Sequence, residues 1–301
     1  MLETGALIGG KYRVLEEIGR GGMSVVYAAV GVASGGLWAV KEVRKDGARD
    51  LAVTRRSLRV EMELLRKLSH PSIPGIADII ERQSSFLIVM DYMDGAPLSR
   101  TVSEQGAQPP ERVIRWAKQL CDVLGYLHSR APAIIYRDIK PSNIILRPDG
   151  SVALIDFGAA REFKTGASAD TANLGTAGYA APEQFGGRGQ TDVRTDVFCL
   201  GATLRHLLTG IDPTSAHSGD VPPQPLPAAL PVGLKRIVER CARLNPEERY
   251  QSCAELLHEL DRCSDWDGGR GKRRTRRLAA LVCSLTAALL LAFLFKSLFR
   301  V

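Results

Sequence analysis

The 301-residue chain has six cysteines, Cys121, Cys199, Cys241, Cys253, Cys263 and Cys283, and no Cys-x-x-Cys spacing among them. Structural zinc wants closely spaced, paired ligands, so a zinc-built module is disfavoured and buried, reduced thiols in a cytosolic compartment are expected. No secretory leader is expected, because MLETGALIGGKYRV has no cationic stretch followed by an apolar one. No internal repeat is visible, which removes solenoids and propellers. A basic surplus is missing from most of the chain. The net charge of +7 arises after residue 267, where Gly268 to Val301 carries eight Lys/Arg and no Asp or Glu, leaving 32 basic against 33 acidic groups before it. That balance argues against a general nucleic-acid surface, and no nucleic-acid partner is expected; only a local patch such as Arg55, Arg56 and Arg59 stands out.

What is present is first a core: 45% apolar residues and a length that suits one large domain or two smaller ones. Second is one long apolar run, Leu278 to Phe295 (LAALVCSLTAALLLAFLF), eighteen residues without a charge. At about 1.5 Å per residue a helix of this length spans about 27 Å, close to a hydrocarbon core. Six basic residues (Arg270, Lys272, Arg273, Arg274, Arg276, Arg277) precede the run and only Lys296 and Arg300 follow it. The positive-inside rule then predicts a single-pass protein of the cell membrane, with residues 278–295 as a transmembrane helix, the globular part cytoplasmic and 296–301 an extracytoplasmic tail. The lipid bilayer is thus an expected partner, and the basic run 265–277 is a linker that could also hold anionic headgroups.

Apolar and polar residues alternate between glycine turns from about Tyr12 to Glu42, which predicts a strand meander. Helical spacing follows from Leu51 to Leu68, with Leu58, Met62, Leu65 and Leu68 on one stripe and His70-Pro71 as the stop. Two more strands are predicted at Ile76–Ile80 and Phe86–Met90. The character changes near Asp91–Gly95 to long helical patterns such as Arg112–Ser129 and Leu234–Asp261, separated by a proline-rich surface loop from Pro213 to Pro231.

The chemistry is concentrated in Tyr136-Arg137-Asp138-Ile139-Lys140-Pro141-Ser142-Asn143 and, thirteen positions after Asn143, in Asp156-Phe157-Gly158. These supply a carboxylate able to take a hydroxyl proton, a lysine for phosphate charge, an amide and a second carboxylate for a metal: the parts of a phosphoryl-transfer site. Upstream, Ile18-Gly19-Arg20-Gly21-Gly22-Met23-Ser24-Val25-Val26 can bring backbone N–H groups to phosphates. It lacks the Gly-Lys-Ser/Thr of a P-loop, and Ser24 stands where the third glycine of G-x-G-x-x-G would be. Lys41, in Ala39-Val40-Lys41, needs a carboxylate partner in an apolar strand; Glu61 is favoured, nine residues before His70, with Glu63 as competitor.

Taken in order, the glycine-rich turn, Lys41, Glu61, Asp138, Asn143, Asp156-Phe157-Gly158, Ala181-Pro182-Glu183, Asp196 with Gly201, and Arg249 in Asn-Pro-Glu-Glu-Arg-Tyr resemble a eukaryotic-like (Hanks-type) serine/threonine protein kinase of the bacterial kind. The resemblance implies an α+β, bilobal kinase fold over 12–264, with a β-rich N-lobe with one helix (12–93) and a mainly helical C-lobe (94–264). It implies ATP with Mg²⁺, or Mn²⁺ in its place, and protein substrates. Asp138, Lys140, Lys41 and Glu61 would be catalytic; Asn143 and Asp156 would hold metal. Ile18, Gly19, Arg20, Gly21, Gly22, Met23, Ser24, Val26, Ala39, Lys41 and Met90 would enclose the nucleotide, with the backbone of Asp91 and Met93 on the adenine edge. Lys140 and Thr176 match the serine/threonine pattern, whereas Tyr136 departs from the usual His and is expected to act by packing. Arg137 implies control by phosphorylation of the segment between Gly158 and Ala181, with Thr171 or Ser168 as acceptors and Thr176 structural. Self-association for autophosphorylation in trans is a further expectation. The competing readings are a membrane-tethered pseudokinase scaffold, disfavoured because Lys41, Asp138, Asn143 and Asp156 are all present, and a small-molecule phosphotransferase, disfavoured by Ala181-Pro182-Glu183.

Overall fold

The computed structural model describes residues 1–21, 24–45, 51–163, 175–185, 189–215 and 225–263, with the backbone alone over 51–57. The chain opens with β1 (Leu7–Ile8), β2 (Tyr12–Arg20), β3 (Ser24–Gly31), β4 (Leu37–Arg44), helix α1 (Leu51–Arg66), β5 (Ile76–Glu81) and β6 (Ser85–Asp91). The strands form one antiparallel sheet in the order β1-β2-β3-β4-β6-β5. Alternation divides its side chains between two faces. Val14, Val25, Tyr27, Ala29, Val40, Leu87 and Val89 build one apolar cluster; Val43, Phe86 and Ile88 build another against Leu58 and Met62 of α1.

The stripe expected on α1 therefore does two jobs. Leu58 and Met62 face the sheet, while Leu65, Leu68 and also Leu64 join the main core of the helical part. The helix is pinned to both bodies, and Glu61 lies on that bridge. The sheet also starts earlier than the meander expected from Tyr12, since Ile8 is fully buried and Leu2 nearly so.

Past Asp91 come β7 (Ala96–Pro97), α2 (Leu98–Gln105), α3 (Pro110–His128), β8 (Ile134–Ile135), β9 (Ile144–Leu146), β10 (Val152–Leu154), β11 (Arg161–Glu162), α4 (Val193–Thr209), α5 (Val232–Cys241) and a last helix, α6, over 253–263. Small sheets β10-β9-β7 and β11-β8 frame the loops that carry the motifs. On α3 the buried Val113, Trp116, Ala117, Leu120, Cys121, Val123, Leu124 and Leu127 follow the helical period and bury one wide face. Helix α4 crosses the centre of this core. The Asp192 side chain caps its start by accepting from Arg194 N, and Gly210 ends it at φ 70°, a left-handed cap that glycine adopts without strain. Gly201 lets α5 approach α4, because a Cβ there would lie 2.5 Å from Cys241 Cβ.

The helical run expected over Leu234–Asp261 is two helices. Pro246 disfavours helix at Asn245, whose side chain accepts from Glu247 N at 3.1 Å, and a short 3₁₀ turn (Pro246–Glu248) intervenes. Of the cysteines, Cys121, Cys199, Cys241, Cys253 and Cys263 are buried free thiols. Among the described residues no helix is long and apolar enough to cross a membrane. The run 278–295, Cys283, Gly22, Met23, Ser168 and Thr171 lie outside the described residues.

Candidate active site

Lys41 sits in the middle of β4, opposite Val26 of β3 and Ile88 of β6. Its Nζ lies 3.0 Å from Glu61 Oε1 on α1 and 2.8 Å from Asp156 Oδ1. Glu61 is 5% exposed and Glu63 is open to solvent, which decides between the two candidates. Burial alone would lower the lysine's pKa, but the two carboxylates outweigh it and hold the pKa above the ordinary value. One cation serves two acids. Burial pushes the deeper one, Glu61, up; Asp156, 48% exposed, is held below the usual range by the lysine, which outweighs its partial desolvation.

Asp138 follows β8 and is restrained from three sides. Its Oδ1 accepts from Thr176 Oγ1 at 2.8 Å; its Oδ2 accepts from Asn143 Nδ2 and faces Lys140 Nζ, each at 2.8 Å. Lys140 Nζ also donates to Thr176 Oγ1 at 2.6 Å, and Asn143 Nδ2 reaches the Asp138 carbonyl at 3.0 Å. With its nitrogen committed to Asp138, Asn143 retains Oδ1, the atom a hard cation prefers. The described residues contain no group of three His, Cys, Asp or Glu able to hold a metal alone. A cation shared by Asn143 and Asp156 would draw its remaining ligands from phosphate and water, which fits the habits of Mg²⁺.

Two non-glycine residues here adopt left-handed backbone, Arg137 (φ 67°) and Asp156 (φ 66°), a conformation that persists only where neighbours enforce it. At Arg137 the fully buried Asp196 on α4 supplies that force, accepting from Tyr136 N at 2.9 Å and Arg137 N at 2.7 Å. It also meets His128 Nε2 at 2.8 Å. Burial disfavours the imidazolium, yet Asp196, with Cys253 beside it, pushes the His128 pKa up to about 10.

Tyr136 packs edge-on against Phe157, ring centroids 5.0 Å apart. Packing is only part of its role: the hydroxyl donates to the Ile155 carbonyl, next to Asp156, which corrects the expectation of an aromatic filler. A buried phenol needs such a partner. Arg137 is buried and donates from Nε to the Ala159 carbonyl at 2.8 Å, so it reaches the segment after Asp156-Phe157-Gly158. Thr176, taken as structural, is fixed on Asp138 and Lys140.

Around the cleft, Gly21 N donates to Ser24 O at 2.7 Å and closes the turn between β2 and β3. Ala39 is buried, while Met90 is half-buried against the α1-side cluster. The Asp91 amide donates to the Gly75 carbonyl at 3.0 Å, which takes the amide out of play. Met93 Sδ lies 3.0 Å from Arg147 Nη2. Below the site, Glu183 pairs bidentately with the fully buried Arg249, at 2.6 and 3.0 Å. Sequence reasoning missed His128 and the buried Tyr179–His206 hydrogen bond (2.6 Å), since neither type has a local signature.

A sheet offering a lysine–carboxylate chain and a helical body offering a restrained aspartate define a two-lobed fold of the protein-kinase class. A family model described as "Protein kinase domain" matches residues 12–260, and the chain belongs to that family. Its members use ATP with a divalent metal ion. The chain is 35% identical over 269 residues to "Serine/threonine-protein kinase PknB" of Mycobacterium leprae, covering 84% of this chain and 43% of that protein. It is 33% identical over 279 residues to the PknB of Mycobacterium tuberculosis H37Rv, covering 87% and 44%. A probable serine/threonine-protein kinase of Clostridium perfringens is 30% identical over 270 residues, covering 86% and 39%. The chain thus spans less than half the length of these relatives.

Proposed function

We propose that the chain is a serine/threonine protein kinase that transfers the γ-phosphoryl group of Mg-ATP, with Mn²⁺ as an alternative metal, to protein hydroxyls. The observation that carries this reading is the bond from Thr176 Oγ1 to Asp138 Oδ1 at 2.8 Å, with Lys140 Nζ 2.6 Å from the same hydroxyl. A threonine hydroxyl already lies where a substrate hydroxyl would hand over its proton. In this reading Asp138 accepts or orients that proton, and Lys140 offsets charge on the moving phosphoryl group. Lys41, kept charged and aimed by Glu61, would hold the α- and β-phosphates. Mg-ATP supplies the phosphoryl donor and the charge neutralisation, and Asn143 Oδ1 and Asp156 would be the protein's ligands for the metal. The turn from Ile18 to Val26, with Ala39, Met90, the Asp91 carbonyl and Met93, would enclose the nucleotide. Incubation of the purified chain with Mg-ATP and a basic test protein should give phosphoserine or phosphothreonine by mass spectrometry.

The layout proposed around this activity is a domain over 12–264, divided near residue 93, a basic linker 265–277, a membrane span 278–295 and a tail 296–301. The charge asymmetry about the apolar run supports it. Deleting 278–301 should move the protein from the membrane to the soluble fraction. Regulation is proposed through phosphorylation of Ser168 or Thr171, in trans between copies concentrated at the membrane. Deleting 268–301 should lower autophosphorylation at fixed copy number, and an unchanged level would reject concentration as the trigger.

A further inference from the structure

β2 is the strand that leads into the glycine-rich turn, and its ladder with β3 is broken twice, by register shifts between Val14 and Glu16 and between Glu17 and Gly19. A strand so interrupted has fewer bonds to fix its far end. The first eight residues compensate from outside. Gly5 N donates to Val14 O at 2.8 Å and Val14 N donates to Ala6 O at 3.0 Å, which grips β2 ahead of the first shift. At the other end, Arg20 Nη1 reaches Met1 Sδ at 3.3 Å, beyond the second shift. Between them Leu2 is buried in the outer apolar cluster with Tyr27, the residue paired with Glu17. Leu2 N donates to the Tyr27 hydroxyl, which in turn donates to the buried Glu42, next to Lys41, each at 3.2 Å.

We infer that Met1 to Ile8 form a strap that splints β2 across both breaks and thereby sets the position of the glycine-rich turn over the nucleotide. The strap lies before the residues matched by the family model, which begin at Tyr12. Leu2 is then a positioning residue. It acts through Tyr27 and β2, and its removal weakens nucleotide binding while leaving the Asp138 machinery in place.

This inference rests on the cleft being a nucleotide site, and the test separates the two. Binding of a fluorescent ATP analogue, KM for ATP, kcat and amide exchange of peptides covering β2 are measured for wild type, Leu2→Ser and Leu2→Met. Leu2→Ser should raise the analogue Kd and the KM by about three- to tenfold, with kcat within about twofold. Exchange in β2 should accelerate by at least about tenfold, with α3 and α4 unchanged, and Leu2→Met should restore all of these. Equal Kd values in wild type and Leu2→Ser, or a kcat that falls in step with thermal stability, would overturn the strap. If wild type binds no nucleotide, the kinase reading fails, and the strap inference with it.

Discussion

Lys41–Glu61 and Arg249–Glu183 are both buried cation–glutamate pairs, and they differ in what is left over. Arg249 has five N–H groups and five acceptors. Nε donates to the Arg243 carbonyl, Nη1 to Glu183 and the Arg194 carbonyl, Nη2 to Glu183 and the Leu244 carbonyl, all at 2.6–3.0 Å. Its plane also lies against Phe198, 4.9 Å from the ring centre. Nothing there can accept a new partner without breaking an old one. Lys41 instead faces two carboxylates, one buried and one 48% exposed, with a third N–H to spare. A closed pair fixes architecture; an open one, with more acid than base, is prepared for a ligand that changes the local charge.

The largest effect is expected from Arg249→Leu. Glu183 would be left buried opposite an apolar chain, and urea unfolding should show a loss of about 3–5 kcal/mol. Lys41→Met should behave differently. Glu61, already pushed up by burial, can take a proton instead of staying an unpaired charge. Stability should change by less than about 1.5 kcal/mol while phosphoryl transfer falls by at least about 10²-fold. A large stability loss in Lys41→Met would erase the distinction.

His128–Asp196 is the intermediate case, a closed pair that titrates. Its folded pKa of about 10 lies above the ordinary 6.5, so the contribution is complete below about pH 6.5 and is lost as pH rises through about 10. Urea midpoints of wild type should therefore decline from pH 6.5 to pH 10 more steeply than those of His128→Gln. Parallel declines would show that the pair carries no such charge.

The open pair was legible in the sequence and much of the closed architecture was not. Lys41, Asp138, Asn143 and Asp156 could be named because the proposed phosphoryl transfer tolerates few residue types, and their order along the chain is distinctive. The strand meander and the α3 stripe were legible through their periods. His128, the Tyr136 hydroxyl and the strap under Tyr27 were not, because each owes its role to burial among distant segments rather than to its neighbours in sequence. The break at Asn245-Pro246 could have been read from the proline, but apolar spacing on either side concealed it. Just before that break the Arg243 and Leu244 carbonyls accept from Arg249.

The proton-acceptor role of Asp138 stands at the centre of the proposed phosphoryl transfer. It is tested most directly by incubating the purified chain and its Asp138→Asn variant with Mg-ATP and mapping phosphate by mass spectrometry. Phosphoserine and phosphothreonine are expected in the wild type, with loss of at least about 10²-fold in a variant that stays folded and still binds nucleotide. Equal incorporation by the two proteins, or none by the wild type with either Mg²⁺ or Mn²⁺, would contradict it.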